Sequence, residues 1–193
     1  MTRRAFVSAI LRASLALLLV LLVGGANTPA AAQGKPGEYD VKAELLYRLT
    51  RVFEWPEAAR VAPDQQIRVG VLGHDPFDGA LEEKFEGKPS PFGSGFTVVP
   101  IETLEDALRC HIVFVPRDVD AESRAQIPAL RRASILLVGE QTRFAERDGG
   151  ILAIVPDGRK TAMILNMASL ADSGLQASSR FLRLCRIVGD EAR

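Results

Sequence analysis

Short apolar runs that alternate with segments of helical periodicity are the feature that most restricts the fold of this chain of 193 residues. Each run is rich in β-branched residues and is bounded by Gly, Pro or polar residues, which is typical of strands. The runs are Ile67–Leu72, Phe96–Pro100, His111–Val115 and Ser134–Val138. Helical segments between successive strands favour right-handed crossovers and a mostly parallel sheet covered on both faces. The sequence therefore predicts a single compact α/β domain.

The helical segments and a hairpin complete this prediction. A first helix is expected from Tyr39 to Pro56, because Leu45, Leu46, Leu49, Val52 and Phe53 fall on one helical face. Further helices are predicted at Thr103–Arg109, Asp120–Arg132, Gln141–Arg147 and Ser178–Val188. The turn Pro156-Asp157-Gly158 separates two strand-like runs and predicts an antiparallel hairpin over residues 150–166, which makes the sheet mixed. Asn166 is expected to cap the helix that follows, and Gly174 to end it.

The turn after the first strand, Gly73 to Asp78, admits two interpretations. One is a capped strand-to-helix turn with Asp75 as N-cap and Pro76 at the first helical position. The other is a phosphate-binding loop, but neither known glycine pattern is present and no Lys or Arg occurs from Val69 to Glu83. The capped turn is favoured.

The first 32 residues have the composition of a secretory signal peptide. Residues 1–13, which contain three arginines, precede the apolar run 14–23. Small residues follow up to Ala32, after which cleavage is expected. An uncleaved anchor is the alternative, but a span of about 20 apolar residues would have to include Arg12 and two serines. Residues 33–38 then form a flexible leader before a domain at 39–193, and no stable membrane insertion is expected after cleavage.

Charge argues against a nucleic-acid partner. Residues 1–32 contain three arginines and no acid, so the remainder carries 21 basic against 24 acidic residues. This mildly acidic balance lacks the basic field that binding of a phosphate backbone requires.

The residues that could perform chemistry are few. His74 lies in a turn and His111 at a strand start, and no clustered spacing of His, Cys, Asp or Glu predicts a metal site. No catalytic triad or cofactor motif is found, so a hydrolase is the least favoured function. Cys110 and Cys185 could pair in an oxidising compartment, although two buried thiols are preferred.

Candidate binding residues come from the topology. Ligands and partners of such sheets meet the loops at the carboxyl ends of the parallel strands, here 73–77, 116–118 and 139–142. These loops supply His74, Asp75, Phe77 and Arg117 as candidate binding residues, and Phe144, just after the last loop, is a further candidate for the lining. Trp55, the only tryptophan, is interpreted as closing the core, with an exposed interface anchor as the alternative.

An ordered set of short motifs resembles the YfiR-type periplasmic proteins over nearly all of residues 39–188. The first motifs are Tyr39 with Val41-Lys42-Ala43, Leu46-Tyr47 and Phe53-Glu54-Trp55-Pro56. The later ones are Val71-Leu72-Gly73, Asp75-Pro76-Phe77, residues 110–114, Phe144-Ala145, Gly149-Gly150-Ile151, Asn166, Gly174-Leu175, Ser178-Ser179 and Leu182 with Leu184. No single motif is specific, but their order is.

The resemblance implies a compact α/β periplasmic domain that is not an enzyme. It implies binding to the periplasmic part of an inner-membrane diguanylate cyclase, which is held inactive so that cyclic di-GMP and biofilm formation respond to the envelope. Relatives often carry a cysteine where this chain has Gly70, as partner of the one matched by Cys110, so redox sensing through that bridge is not expected here. The alternative function is a small-molecule binding module feeding a membrane sensor kinase. A homodimer is also compatible with the sequence.

Overall fold

The central strands are apolar along their whole length, as expected for parallel strands with both faces covered. A computed structural model describes residues 37–158 and 160–189. The strands β2 (Ile67–Leu72), β4 (Ile112–Val115) and β5 (Leu136–Gly139) are buried at nearly every position. The predicted signal peptide and the first part of the leader lie outside the described residues.

Within those residues, seven strands form one sheet in the order β3-β2-β4-β5-β6-β7-β9. The outer members are β3 (Phe96–Ile101), β6 (Leu152–Asp157), β7 (Lys160–Asn166) and β9 (Arg186–Val188). Strands β3, β2, β4, β5 and β6 are parallel, and β7 runs antiparallel to β6. Helices flank this sheet, so the predicted mixed, mostly parallel α/β fold and its antiparallel hairpin are confirmed.

Short helices connect the strands, and side chains cap several of them, among them the helix after Asn166, whose cap the sequence predicts. The helices are α1 (Glu38–Leu49), α2 (Ala80–Phe85), α3 (Leu104–Leu108), α4 (Ala121–Leu130), α5 (Thr142–Glu146), α6 (Met167–Ser173) and α7 (Ser179–Leu182). Asp120 accepts a hydrogen bond from the Ser123 N–H at 2.8 Å, and Asn166 accepts one from the Ser169 N–H at 2.9 Å. None of the helices in this part of the chain is long and apolar enough to cross a membrane.

The predicted end of the first helix is wrong. Helix α1 ends at Leu49 rather than near Pro56, because the Thr50 hydroxyl donates to the Tyr47 carbonyl at 2.7 Å and the chain turns. Phe53 then pairs with Ala177 in a small antiparallel sheet of β1 (Phe53–Glu54) and β8 (Gln176–Ala177). Pairing with a distant segment thus overrides the helical spacing of Phe53.

The predicted last helix is also mostly wrong. Only α7 is helical, and Ile187 pairs with Leu165 in strand β9. The β-branched pair Ile187-Val188 fits an edge strand better than a helix. In the turn after β2, Asp75 is not a helix N-cap, since α2 begins only at Ala80 after Gly79.

Candidate functional site

The carboxyl ends of β2, β4 and β5 meet at one edge of the sheet, because these three strands are parallel neighbours. We call this the carboxyl edge. The loops at it are the predicted ones, 73–77, 116–118 and 139–142. Helix α1 contributes Glu38, Tyr39 and Lys42, whose side chains reach residues of these loops. The edge is therefore occupied by side chains of the protein itself.

Glu140, the residue directly after β5, is the centre of this arrangement. Its side chain is 0% exposed, and its Oε2 accepts hydrogen bonds from Arg117 Nε at 2.8 Å and from the Tyr39 hydroxyl at 3.3 Å. Lys42 Nζ lies 3.1 Å from the same oxygen. The Oε1 atom is buried without a hydrogen-bond partner among the described residues. A buried carboxylate is costly unless it is paired, and here two cations surround it.

Glu38 joins the two cations on the solvent side. Its Oε1 accepts a hydrogen bond from Lys42 Nζ at 2.5 Å and another from the Arg117 guanidinium. The hydrogen bond from Lys42 holds the pKa of Glu38 below its ordinary value, and the Arg117 charge adds to this effect. Burial, followed by the Glu140 charge, raises the pKa of Tyr39. The four residues Glu38, Lys42, Arg117 and Glu140 form what we call the ionic clamp.

Three aromatic side chains, Tyr39, Phe77 and Phe114, pack in a row beneath the ionic clamp on its core side, and we call them the aromatic stack. Tyr39 packs edge-on against Phe77 with ring centroids 5.3 Å apart, and Phe77 packs against Phe114 at 4.7 Å. The Asp75 carboxylate accepts a hydrogen bond from the Phe77 N–H at 2.8 Å and so shapes the turn. Asp75 and His74 themselves are exposed.

The structure brings only some of the candidate residues together. Phe77 packs against Tyr39, and Arg117 donates to the same Glu140 oxygen as Tyr39 does. Phe144 is 2% exposed, and its ring fills the space that a side chain would need at Gly139 or Gly150. Trp55 is also 2% exposed and packs against Phe92 at 5.6 Å, in agreement with its interpretation as a core residue.

The two cysteines, both in the described part of the chain, are unbridged. Cys110 is buried and its thiol donates to the Asp106 carbonyl at 3.3 Å. Burial raises the pKa of both thiols, that of Cys185 to about 11. Since the thiolate is the reactive form, both groups are poor nucleophiles at neutral pH. Among residues 37–158 and 160–189, no group of three or more His, Cys, Asp or Glu side chains could hold a metal ion.

Sequence reasoning identified Arg117 and missed its partners. Glu140 gives a local signal, because an acid directly after a fully apolar strand must find a cation if it is buried. Glu38 and Lys42 stand at the helical spacing i, i+4, which predicts a surface pair rather than a clamp. The contact across about a hundred residues between Lys42 and Glu140 has no sequence signal.

Comparison with known protein families gives one match over the domain. The model of a family described as YfiR/HmsC-like matches residues 39–186. The match begins inside α1 and ends at the first residue of β9, so it includes the three loops of the carboxyl edge and every strand of the central sheet except the last two residues of β9. No curated protein matches the chain.

Proposed function

The chain belongs to the YfiR/HmsC-like family of periplasmic regulators of diguanylate cyclases, and we propose that it holds an inner-membrane diguanylate cyclase inactive by binding the cyclase's periplasmic region. The family match over residues 39–186 carries this proposal. The composition of residues 1–32, typical of a cleaved signal peptide, supports export to the periplasm.

An inhibitor of this kind acts by binding the inactive state of its receptor more tightly than the active state. To shift a receptor from almost fully active to almost fully inactive, the ratio of the two affinities must reach roughly 10⁴. Such a protein needs a rigid surface with reachable side chains, and it needs no catalytic group. The regulatory rather than catalytic character of the family fits this requirement.

We propose the rim of the carboxyl edge as the surface that meets the cyclase. His74 and Asp75 are exposed, and Glu38 and Arg117 are 48% and 47% exposed. The aromatic stack and the ionic clamp hold these side chains on a fixed base. Phe77 and Phe144 are buried and would act on the partner only through the packing beneath this rim. Trp55 is buried elsewhere, against Phe92 of the loop before β3, so it is not part of this surface.

Deletion of the gene, followed by measurement of cyclic di-GMP, tests the function. We expect the level to rise and to return on complementation with the wild type. An unchanged level would contradict the proposed function.

A double variant tests the surface separately. His74→Arg with Asp75→Asn changes the charge of these two positions from negative to positive, while the asparagine oxygen still accepts from the Phe77 N–H. We expect this variant to fold normally and to leave cyclic di-GMP high, whereas Arg109→Ala, which changes an exposed residue directly after α3, should complement fully. Full complementation by the double variant would contradict the surface and leave the function standing.

A second candidate function is the small-molecule binding module that feeds a sensor kinase. A cavity of about 200 Å³ between α1 and the β6–β7 hairpin favours it. Its lining includes Val41, Lys42, Ile154 and Thr161. A ligand held there would raise the midpoint of thermal unfolding by mass action. A thermal-shift screen of the purified domain distinguishes this candidate. A small-molecule binding module should give a ligand that raises the unfolding midpoint of the wild type but not of Val41→Trp, whose larger side chain fills the cavity. A protein that binds only other proteins should give no such ligand.

A further inference from the structure

A second cleft opens at the other end of the parallel strands, far along them from the carboxyl edge. It has a volume of about 630 Å³, within the range of small-molecule sites. Its walls come from the segment before β2, the first residues of β2 and β3, and the loop before β3. We call it the amino-end cleft; the side chains that line it are Val61, Asp64, Gln65, Gln66, Arg68, Ser94 and Thr97.

Arg68 is the cation of this cleft and is without a counter-ion. It makes no ion pair with any residue of 37–158 or 160–189, and its Nε is buried with no hydrogen-bond partner there. Arg68 faces Thr97 in the pairing of β2 with β3, so the two side chains project from the same face. A half-buried guanidinium with an unmatched donor is unfavourable until an acceptor reaches it.

The charge of Arg68 acts on its two neighbours. It adds to burial in lowering the pKa of His111. Burial raises the pKa of Cys110, and the Arg68 charge, together with a hydrogen bond from the guanidinium to the sulphur, opposes that rise. The His111 Nδ1 accepts a hydrogen bond from the Arg68 N–H at 3.1 Å, which fixes this imidazole beside the strand. The positive charge of the guanidinium therefore lowers the pKa of both neighbouring side chains.

The walls of the cleft are built from fixed backbone. The Ser94 N–H donates to the Gln65 carbonyl at 2.8 Å, and the Ser94 hydroxyl donates to the Asp64 carbonyl at 3.2 Å. Gly93 has φ +74, and a Cβ there would collide with the Gln65 carbonyl. The Ser90 hydroxyl ties the same loop by donating to the Phe92 carbonyl at 2.8 Å. These ties hold the two sides of the cleft at a set separation.

We propose that the amino-end cleft binds a hydrophilic small molecule that carries one oxyanion group, a carboxylate or a phosphate, on Arg68. The guanidinium offers parallel N–H donors that match either group. The amides of Gln65 and Gln66 and the hydroxyls of Ser94 and Thr97 supply donors and acceptors for a polyhydroxylated body. Asp64, the one acid in the lining, disfavours a second anionic group. This inference does not depend on the proposed function.

Three sugars with the same glucose ring test the proposal by titration calorimetry on the purified domain: glucuronate, glucose 6-phosphate and uncharged glucose. We expect saturable binding of at least one anionic sugar and none of glucose, and the stronger of the two shows which oxyanion is preferred. Arg68→Gln should weaken that binding by about tenfold or more, which corresponds to about 1.4 kcal/mol. Arg180→Gln, a change of an exposed arginine on α7, should leave it unchanged.

A second measurement works on the wild type alone, so it holds even if Arg68→Gln fails to fold. A bound anion offsets the Arg68 charge, so the pKa of His111, followed by NMR of its imidazole, should rise when the anionic sugar saturates the cleft. No saturable binding of either anion up to about 10 mM would overturn the proposal. Equal binding of glucose, equal binding to Arg68→Gln, or an unmoved His111 titration would do the same.

Discussion

The Lys42 ammonium and the Glu140 carboxylate lie 3.1 Å apart although their side chains are only 4% and 0% exposed. Removing Glu140 takes away the buried partner of Lys42 and leaves this buried ammonium paired only with the half-exposed Glu38. Breaking a buried pair typically destabilises a protein by about 3–5 kcal/mol. We therefore expect Glu140→Ala to lower the free energy of unfolding by about 3 kcal/mol, measured by urea denaturation.

The matched control for Glu140→Ala is Glu44→Ala. Glu44 also pairs with two cations, Arg48 and Lys84, but its side chain is 36% exposed. Surface pairs contribute less than about 1 kcal/mol, so this variant should lie close to the wild type. Equal losses for the two variants would contradict the view that burial makes the ionic clamp important.

Burial of His111 makes stability depend on pH. Burial lowers the pKa of His111, with the Arg68 charge as a second cause, so the unfolded chain takes up a proton before the folded one does. The stability is complete above the unfolded pKa of about 6.5 and falls as the pH drops below it. Urea denaturation between about pH 7 and pH 5 should show this fall, and His111→Gln, which cannot titrate, should show a flatter profile.

A fall of the same size in His111→Gln would assign the pH dependence to other groups. Carboxylates with lowered pKa values act in a lower pH range than His111. The pKa of Glu38 is lowered from 4.5, so its contribution to stability is lost only below that pH.

The sequence predicts the sheet well because its signals are local. Each buried parallel strand is one continuous apolar run, and the Asn166 cap lies beside the helix that it caps. The errors occur where a distant segment decides: Phe53 pairs with Ala177, and Ile187 pairs with Leu165. The sequence does not predict the ionic clamp for the same reason. Neither Lys42 nor Glu140 has a local sequence signal for their pairing, which only the folded chain creates.

Gly70 and Cys110 allow a test of the departure from the YfiR pattern. A Cβ built on Gly70 lies 2.8 Å from the Cys110 sulphur, and it also collides with the Ile101 side chain. We expect Gly70→Cys to form a bridge to Cys110 under oxidising conditions, with stabilisation of about 2–4 kcal/mol over its reduced form. Thiol titration should then find one free thiol, on Cys185, in place of three.

Gly70→Ser is the control for that bridge. It introduces the same crowding against Ile101, which we expect to destabilise the domain by about 1–3 kcal/mol, and its stability should not respond to reductant. Three titratable thiols in oxidised Gly70→Cys would show that β2 and the start of β4 are placed differently from the structure described here.

Asn166 joins α6 to α5, because its side chain caps one helix and donates to a carbonyl of the other. Substitutions at this residue can therefore separate the two hydrogen bonds. Its Oδ1 accepts from the Ser169 N–H at 2.9 Å, and its Nδ2 donates to the Ala145 carbonyl at 2.6 Å. Asn166→Ala loses both bonds and should reduce the free energy of unfolding by about 2 kcal/mol. Asn166→Ser keeps a capping oxygen and should lose less.

Asn166→Asp also keeps the cap, but at neutral pH it places a carboxylate against the Ala145 carbonyl in a site that is 8% exposed. We expect it to be the least stable of the three variants at about pH 7, since repulsion and burial raise the pKa of the new acid. Its stability relative to Asn166→Ser should recover as the pH falls below that raised pKa, because the protonated acid can donate to the carbonyl. Urea denaturation of both variants at several pH values measures this recovery. A constant difference between them would mean that the bond to Ala145 contributes nothing to the fold.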